Sequence, residues 1–276
     1  GDQTNANGLQ AIGSDSFTPG SMTRTNESGD NYVAWQWKAG GGTTASNSDG
    51  SLASVVQANT TAGFSIVRWT GVHPGNHNVA HGIGKAPKWI LFKNLSDNNN
   101  WQVRHGSLAA YQKLPLNDTD QKSTDFNLGH GSSSTTFALQ NSNFDNGDGD
   151  EMIAYCWAEI QGYSKFGSYT GNGNNDGPFV YTGFKPAWLM VKKIEDNNRS
   201  WVIHDNKQDP HNVTANRLDA DKTQAQQSSG HFDFLSNGFK CRSTEGATNQ
   251  DTHTFVYLAF AEHPFVSSKG VPTTAR

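Results

Sequence analysis

Apolar and polar positions alternate with a period of two along most of this chain. In KWILFK (Lys88–Lys93), Trp89, Leu91 and Lys93 fall on one side of an extended backbone while Ile90 and Phe92 fall on the other. YVAWQW (Tyr32–Trp37) alternates bulky and small residues in the same way, and both segments predict strands. Pro87 and Pro186 stand just ahead of their predicted strands, where a missing N–H costs no ladder bond. No stretch of twelve or more residues keeps an apolar face at helical spacing; HGSLAAYQKL (His105–Leu114) is the only helix candidate.

The alternating segments recur in order. One set runs GFSIVRWTG (Gly63–Gly71), KAPKWILFKN (Lys85–Asn94), WQVRHGS (Trp101–Ser107), TTFALQNSNF (Thr135–Phe144) and MIAYCWAE (Met152–Glu159). The other runs GYSKFGSYTG (Gly162–Gly171), FKPAWLMVKK (Phe184–Lys193), WVIHDNK (Trp201–Lys207), FDFLSNGFK (Phe232–Lys240) and FVYLAFAE (Phe255–Glu262). Pro87 and Pro186 are 99 positions apart, Trp101 and Trp201 are 100, and Glu159 and Glu262 are 103. A period of that length exceeds those of solenoid repeats, so each copy reads as a domain-sized unit.

The N-terminal piece follows the same grammar without its beginning. IGSDSFTPG (Ile12–Gly20) matches LQNSNF and LSNGF, and YVAWQWKAG takes the place of the closing strand. Gly1 is therefore expected to be a cut, made by processing or by choice of the expressed segment. The expected organisation is a partial unit at 1–40, a Gly/Ser/Thr/Asn-rich linker at 41–62, repeats at 63–161 and 162–266, and a tail at 267–276. The fold class this implies is all-β with little helix: two tandem, internally repeated, jelly-roll-like β-sandwich units, or one wide sandwich with internal pseudo-symmetry.

Composition narrows the picture. The 276 residues are 34% hydrophobic, with 8 Trp, 15 Phe and 7 Tyr, so the core leans on aromatic rings. The 29 glycines and low charged fraction of 17% suit many turns between short strands. A net charge of −4 with dispersed Lys and Arg gives no footprint for nucleic acid. No run approaches a membrane-spanning length, and GDQTNANG is not a signal peptide, so membrane insertion is not expected. Cys156 and Cys241 read as two buried thiols, with a single bridge as the alternative.

Candidate chemistry is sparse. His73, His77 and His81 are spaced four apart, but Pro74 and several glycines make that stretch a loop, and the second copy has no counterpart histidines. In NFDNGDGDE (Asn143–Glu151), Asp145, Asp148 and Asp150 could turn oxygens toward Ca²⁺, outside any EF-hand register; the alternative is a polar hairpin turn. No cofactor beyond such a Ca²⁺ is implied. Glu159 and Glu262 recur in both copies, which suits a shared structural need better than a paired-carboxylate catalytic site. For carbohydrate, the candidates are Trp residues bordered by polar groups: Trp69 beside Arg68, Trp101 beside Asn100, and Trp201 near Arg199. Against this stands the placement of Trp101 and Trp201 at matching strand starts, where a repeated Trp is more often a core or barrel-end plug.

Taken together, YVAWQWKAGG, GFSIVRWTG, KAPKWILFKN, WQVRHGS, WVIHDNK and the closing YLAFAEHPFVSSKGVPTTAR resemble a domain of unknown function common in bacteriophages of aquatic bacteria. The resemblance covers nearly the whole chain. It implies a C-terminal domain of a longer virion-associated protein, often behind a laminin-G or concanavalin-like domain, and brings no catalytic or binding residue. The expectation that follows is a virion structural protein on the phage surface, assembled in the host cytoplasm: a tail fibre, spike or appendage component that adheres to host-surface glycan. Its expected partners are other virion proteins and further copies of itself, a trimer by analogy. The alternatives are a polysaccharide-degrading spike enzyme and a capsid decoration protein without a host ligand.

Overall fold

The computed structural model describes residues 6–13, 16–124, 129, 131–142 and 146–261. Within them the chain is nearly all β. The N-terminal piece holds β1 (Leu9–Ile12), β2 (Phe17–Pro19) and the one short helix, α1 (Thr23–Asn26). There follow β3 (Ala45–Asn47), β4 (Ser54–Asn59), β5 (Phe64–Thr70), β6 (His77–Ala80), β7 (Trp89–Asn94), β8 (Gln102–His105), β9 (Leu114–Pro115), β10 (Thr136–Leu139) and β11 (Glu151–Trp157). The remainder holds β12 (Ser164–Thr170), β13 (Phe179–Tyr181), β14 (Pro186–Lys193), β15 (Val202–Asp205), β16 (Thr214–Asp219), β17 (Gln227–Leu235), β18 (Gly238–Cys241) and β19 (Thr254–Ala261).

Two large antiparallel sheets dominate, consistent with a β-sandwich. The first has the order β3-β4-β5-β11-β7-β8-β9 and the second β12-β19-β14-β15-β16-β17-β18-β13. Their central strands pair in matching register. Trp157 lies opposite Phe64 and Trp89 in the first sheet, and Phe260 lies opposite Ser164 and Trp188 in the second. Trp89 faces His105 across β7 and β8, as Trp188 faces Asp205 across β14 and β15. The fourth segments correspond differently from their wording: Phe137 (β10, opposite Val79) packs on Trp69, while Phe239 (β18, opposite Val180) packs on Tyr169.

The alternating pattern buries both faces of each sheet. Outward from the first sheet, Val67, Trp69, Ile90, Phe92, Phe137 and Ala154 form one cluster. Outward from the second, Tyr169, Leu189, Val191, Phe232, Phe239 and Phe255 form another. Between the sheets lies a third cluster drawn from both, including Phe64, Trp89, Trp157, Trp188, Trp201 and Phe260. Aromatic side chains each bury on the order of 150–250 Å², which is how a chain poor in aliphatics fills three cores. Cys156 and Cys241 are buried free thiols, one in each outer cluster.

Three expectations are corrected. Residues 41–62 are not a linker: β3 and β4 extend the first sheet, and Val56 and Ala58 point into its outer core. Their Ser/Gly/Asn-rich flanks mask the short alternation in SVVQAN. YVAWQW forms no strand; it runs unpaired past the sheets and is held by its rings, Trp37 against Trp157, Trp188 and Phe260. The helix candidate His105–Leu114 is a pair of turns that ends in β9. Tyr111 there takes φ +62°, a left-handed conformation that no helix continues through.

Candidate ligand site at the open edge between the sheets

The inner face of the first sheet runs out from under the second. Its residues form cross-strand rows. Phe64, Trp157 and Trp89 make a buried row; Ile66, Tyr155 and Leu91 make a half-buried one; Arg68, Ile153 and Lys93 make the next, with Arg68 exposed. Strand pleating puts all three rows on one face. At the second row a cavity of about 420 Å³ opens between the sheets, walled by Tyr155, Trp157, Leu91, Trp37, Trp188 and Met190 among others.

Trp101 packs beside Tyr155, one of the cavity walls. Its ring centroid is 6.0 Å from that of Tyr155 at an interplanar angle of 35°, and Tyr155 in turn is 6.4 Å from Trp157 at 31°. The row continues inward through Trp37, 6.1 Å from Trp157, to Trp188 and Trp35. Trp101 is fixed by its backbone: its N–H donates to Asn117 Oδ1 (2.8 Å), its carbonyl accepts from Leu116 N–H (2.8 Å), and Asn117 Nδ2 donates to Asn100 Oδ1 (3.0 Å). Lys93 Nζ donates to the carbonyls of Asp97 (2.9 Å) and Asn99 (2.5 Å), holding the loop that carries Asn100. Burial pushes the Tyr155 phenol above its ordinary range, so it is a neutral hydroxyl at physiological pH.

Of the other sequence candidates, Trp201 and Trp69 are core residues. Trp201 is fully buried, its indole N–H donating to the Pro115 carbonyl (2.7 Å) with Lys192 over its ring at 5.9 Å. Trp69 donates to Asn146 Oδ1 (3.0 Å) and packs on Phe137. Neither ring has a free face for a sugar. Arg199 is near Trp201 in the chain and is not among the cavity walls; its backbone N–H is bonded to the Thr119 carbonyl (3.2 Å). Arg68 shares the ledge and pairs with Glu151 at 3.0 Å.

The acidic turn does not converge on a site. Asp150 accepts from Asn94 Nδ2 (2.8 Å), Asp148 is exposed, and Asp145 lies outside the described residues. Among the described residues no three His, Cys, Asp or Glu side chains are placed to share a metal ion. His81 is buried against the Ser133 carbonyl, while His77 lies on β6. Glu159 pairs with Lys165 (2.9 Å) and accepts from Phe166 N–H (3.2 Å); Glu262 lies outside the described residues. No described helix is long and apolar enough to cross a membrane.

Sequence reasoning passed over Tyr155, Trp35 and Trp37 as ligand candidates. The available signal was in MIAYCWAE, where Tyr155 and Trp157 share a face that the alternation leaves apolar to its exposed end. Comparison with curated proteins and with solved structures gives no match. Residues 1–264 match the family described as a domain of unknown function (DUF7483), and the chain belongs to that family.

Proposed function

We propose that this domain is a structural and adhesive component of a bacteriophage particle, part of a surface fibre, spike or appendage, and that it holds host-surface glycan on the Trp101–Tyr155 ledge. The observation that carries the reading is the row of tilted rings from Trp101 through Tyr155 to Trp157, half-buried at Trp101 and Tyr155 and flanked by the Asn100 and Asn117 amides. Flat C–H faces of sugar rings stack on such aromatics, and side-chain amides bond sugar hydroxyls. Three aromatic cores and matching pairings in the two sheets support a second part of the proposal: a duplicated, rigid module built for repetitive assembly with other virion proteins and with copies of itself. The ion pair and backbone bond that occupy Glu159 favour binding over catalysis.

The test is a glycan array probed with the whole chain and with Trp101→Ala. The reading expects retention on a subset of bacterial surface glycans and at least tenfold weaker retention for the variant. A blank array, or equal retention by both proteins, would contradict it.

A further inference from the structure

The ledge leads into a cavity whose lining is unsuited to a sugar. About 420 Å³ is within the range of ligand pockets, and the walls are almost wholly apolar: Ile66, Leu91, Leu116, Met190, Ile203 and Leu258 alternate with the tryptophan rings. Well-packed interiors leave few voids larger than a water molecule. Water in a space of this kind would find few polar partners.

Trp157 and Trp188 line the cavity with their rings, and their indole N–H groups are closed off from it. Another indole of the lining, Trp35, donates to Asp205 Oδ2 at 3.2 Å, and Gln208 Nε2 donates to the same oxygen at 2.6 Å. The lining thus presents almost only carbon surface, and the Asp205 carboxylate beside Trp35 is engaged.

We propose that this cavity takes the acyl chain of an acylated surface glycan. A peptide fits less well, because its backbone N–H groups would need acceptors that the deep wall does not supply. The sugar part of the inference rests on the glycan reading of the Trp101 ledge; the acyl part stands on the cavity alone.

The probe is methyl octanoate, a neutral ester with no sugar, titrated into the whole chain with the indole N–H resonances followed by NMR and methyl acetate as the short-chain control. Saturable shifts of the Trp157 and Trp188 resonances are expected, with affinity rising roughly fourfold per methylene buried. Leu91→Trp, which fills the cavity, is expected to abolish them, and Ile66→Phe is the second filling variant should the first fold poorly. Unmoved resonances, or no gain with chain length, would overturn the proposal even if the glycan array is positive. Saturable shifts alongside a blank array would sustain the acyl site and sink the glycan reading. Resonances that move with protein concentration alone would mean that a second copy fills the cavity, and would also overturn it.

Discussion

Trp101 and Trp201 make the same backbone bonds and meet opposite fates. Each donates its N–H to a side-chain oxygen, Asn117 Oδ1 at 2.8 Å and Asp221 Oδ1 at 3.1 Å, and each accepts at its carbonyl, from Leu116 and Ala220. One ring is half-buried beside Tyr155; the other is fully buried. The difference is cover. β9 and the segment after it reach the second half, where Pro115 accepts from the Trp201 indole, Thr119 accepts from Arg199 N–H, and Lys122 bonds the Ile194 carbonyl and the Glu195 carboxylate.

The two tryptophans should therefore separate binding from stability. Trp201→Ala is expected to cost about 3–5 kcal/mol, as for a large aromatic deleted from a core. Trp101→Ala is expected to cost roughly 1 kcal/mol or less and to weaken glycan retention instead. Urea unfolding of both variants checks the first half of the statement, and equal losses would contradict it.

Close backbone approach makes a second prediction. A Cβ on Gly71 would sit 2.2 Å from the Gly147 carbonyl oxygen, and one on Gly171 would sit 2.2 Å from that of Gln250. Both glycines donate N–H across the turn before a closing strand, to Asp150 (2.7 Å) and His253 (2.9 Å). Backbone cannot yield as a side chain can, so Gly71→Ala and Gly171→Ala should each destabilise by on the order of 2 kcal/mol or more. Thermal melts of the two single variants read this directly, and unchanged melting at either site would refute the close approach there.

Acid should loosen the fold before carboxylates titrate. His105 is fully buried in the inter-sheet region with Nε2 3.1 Å from the Tyr257 carbonyl oxygen; burial pulls its pKa down to about 4 against that bond, with Arg104 and Lys88 adding to the fall. His204 is pulled down to about 3, by burial first and then by Arg217 and His231. In the unfolded chain both titrate near 6.5, so below that pH the unfolded state binds protons that the folded state refuses. Stability should fall as pH drops from about 6.5 toward 4, by about 1.4 kcal/mol per pH unit for each histidine. Urea midpoints measured across pH 7 to 5 test the sign, and a flat profile would show that these rings are not held neutral by burial.

Much of the fold was legible because its signals are local. The alternation in KWILFK predicts the burial seen in β7, and Pro87 and Pro186 mark the starts of β7 and β14. What was not legible depends on who lies alongside. YVAWQW alternates like a strand but has no strand beside it to pair with, and SVVQAN reads as linker until β5 lies next to it. The candidate site was half legible for the same reason. Polar neighbours flagged Trp69, Trp101 and Trp201 alike, whereas only the tertiary cover of Pro115 over Trp201 and of Asn146 over Trp69 decides that, of the three, Trp101 alone stays half-buried. Tyr155, two strands away, could not be assigned to that face without the β7–β11 register.

The most direct test of the account is saturation-transfer NMR between this domain and bacterial surface polysaccharide. Irradiating the aromatic protons should transfer saturation to sugar C–H protons in the wild-type chain and in an Arg199→Ala control, and the transfer should vanish in Trp101→Ala and in Tyr155→Ala. Transfer that survives loss of both rings, or none from the wild-type chain, would contradict the claim that the Trp101–Tyr155 ledge is where this domain holds its ligand.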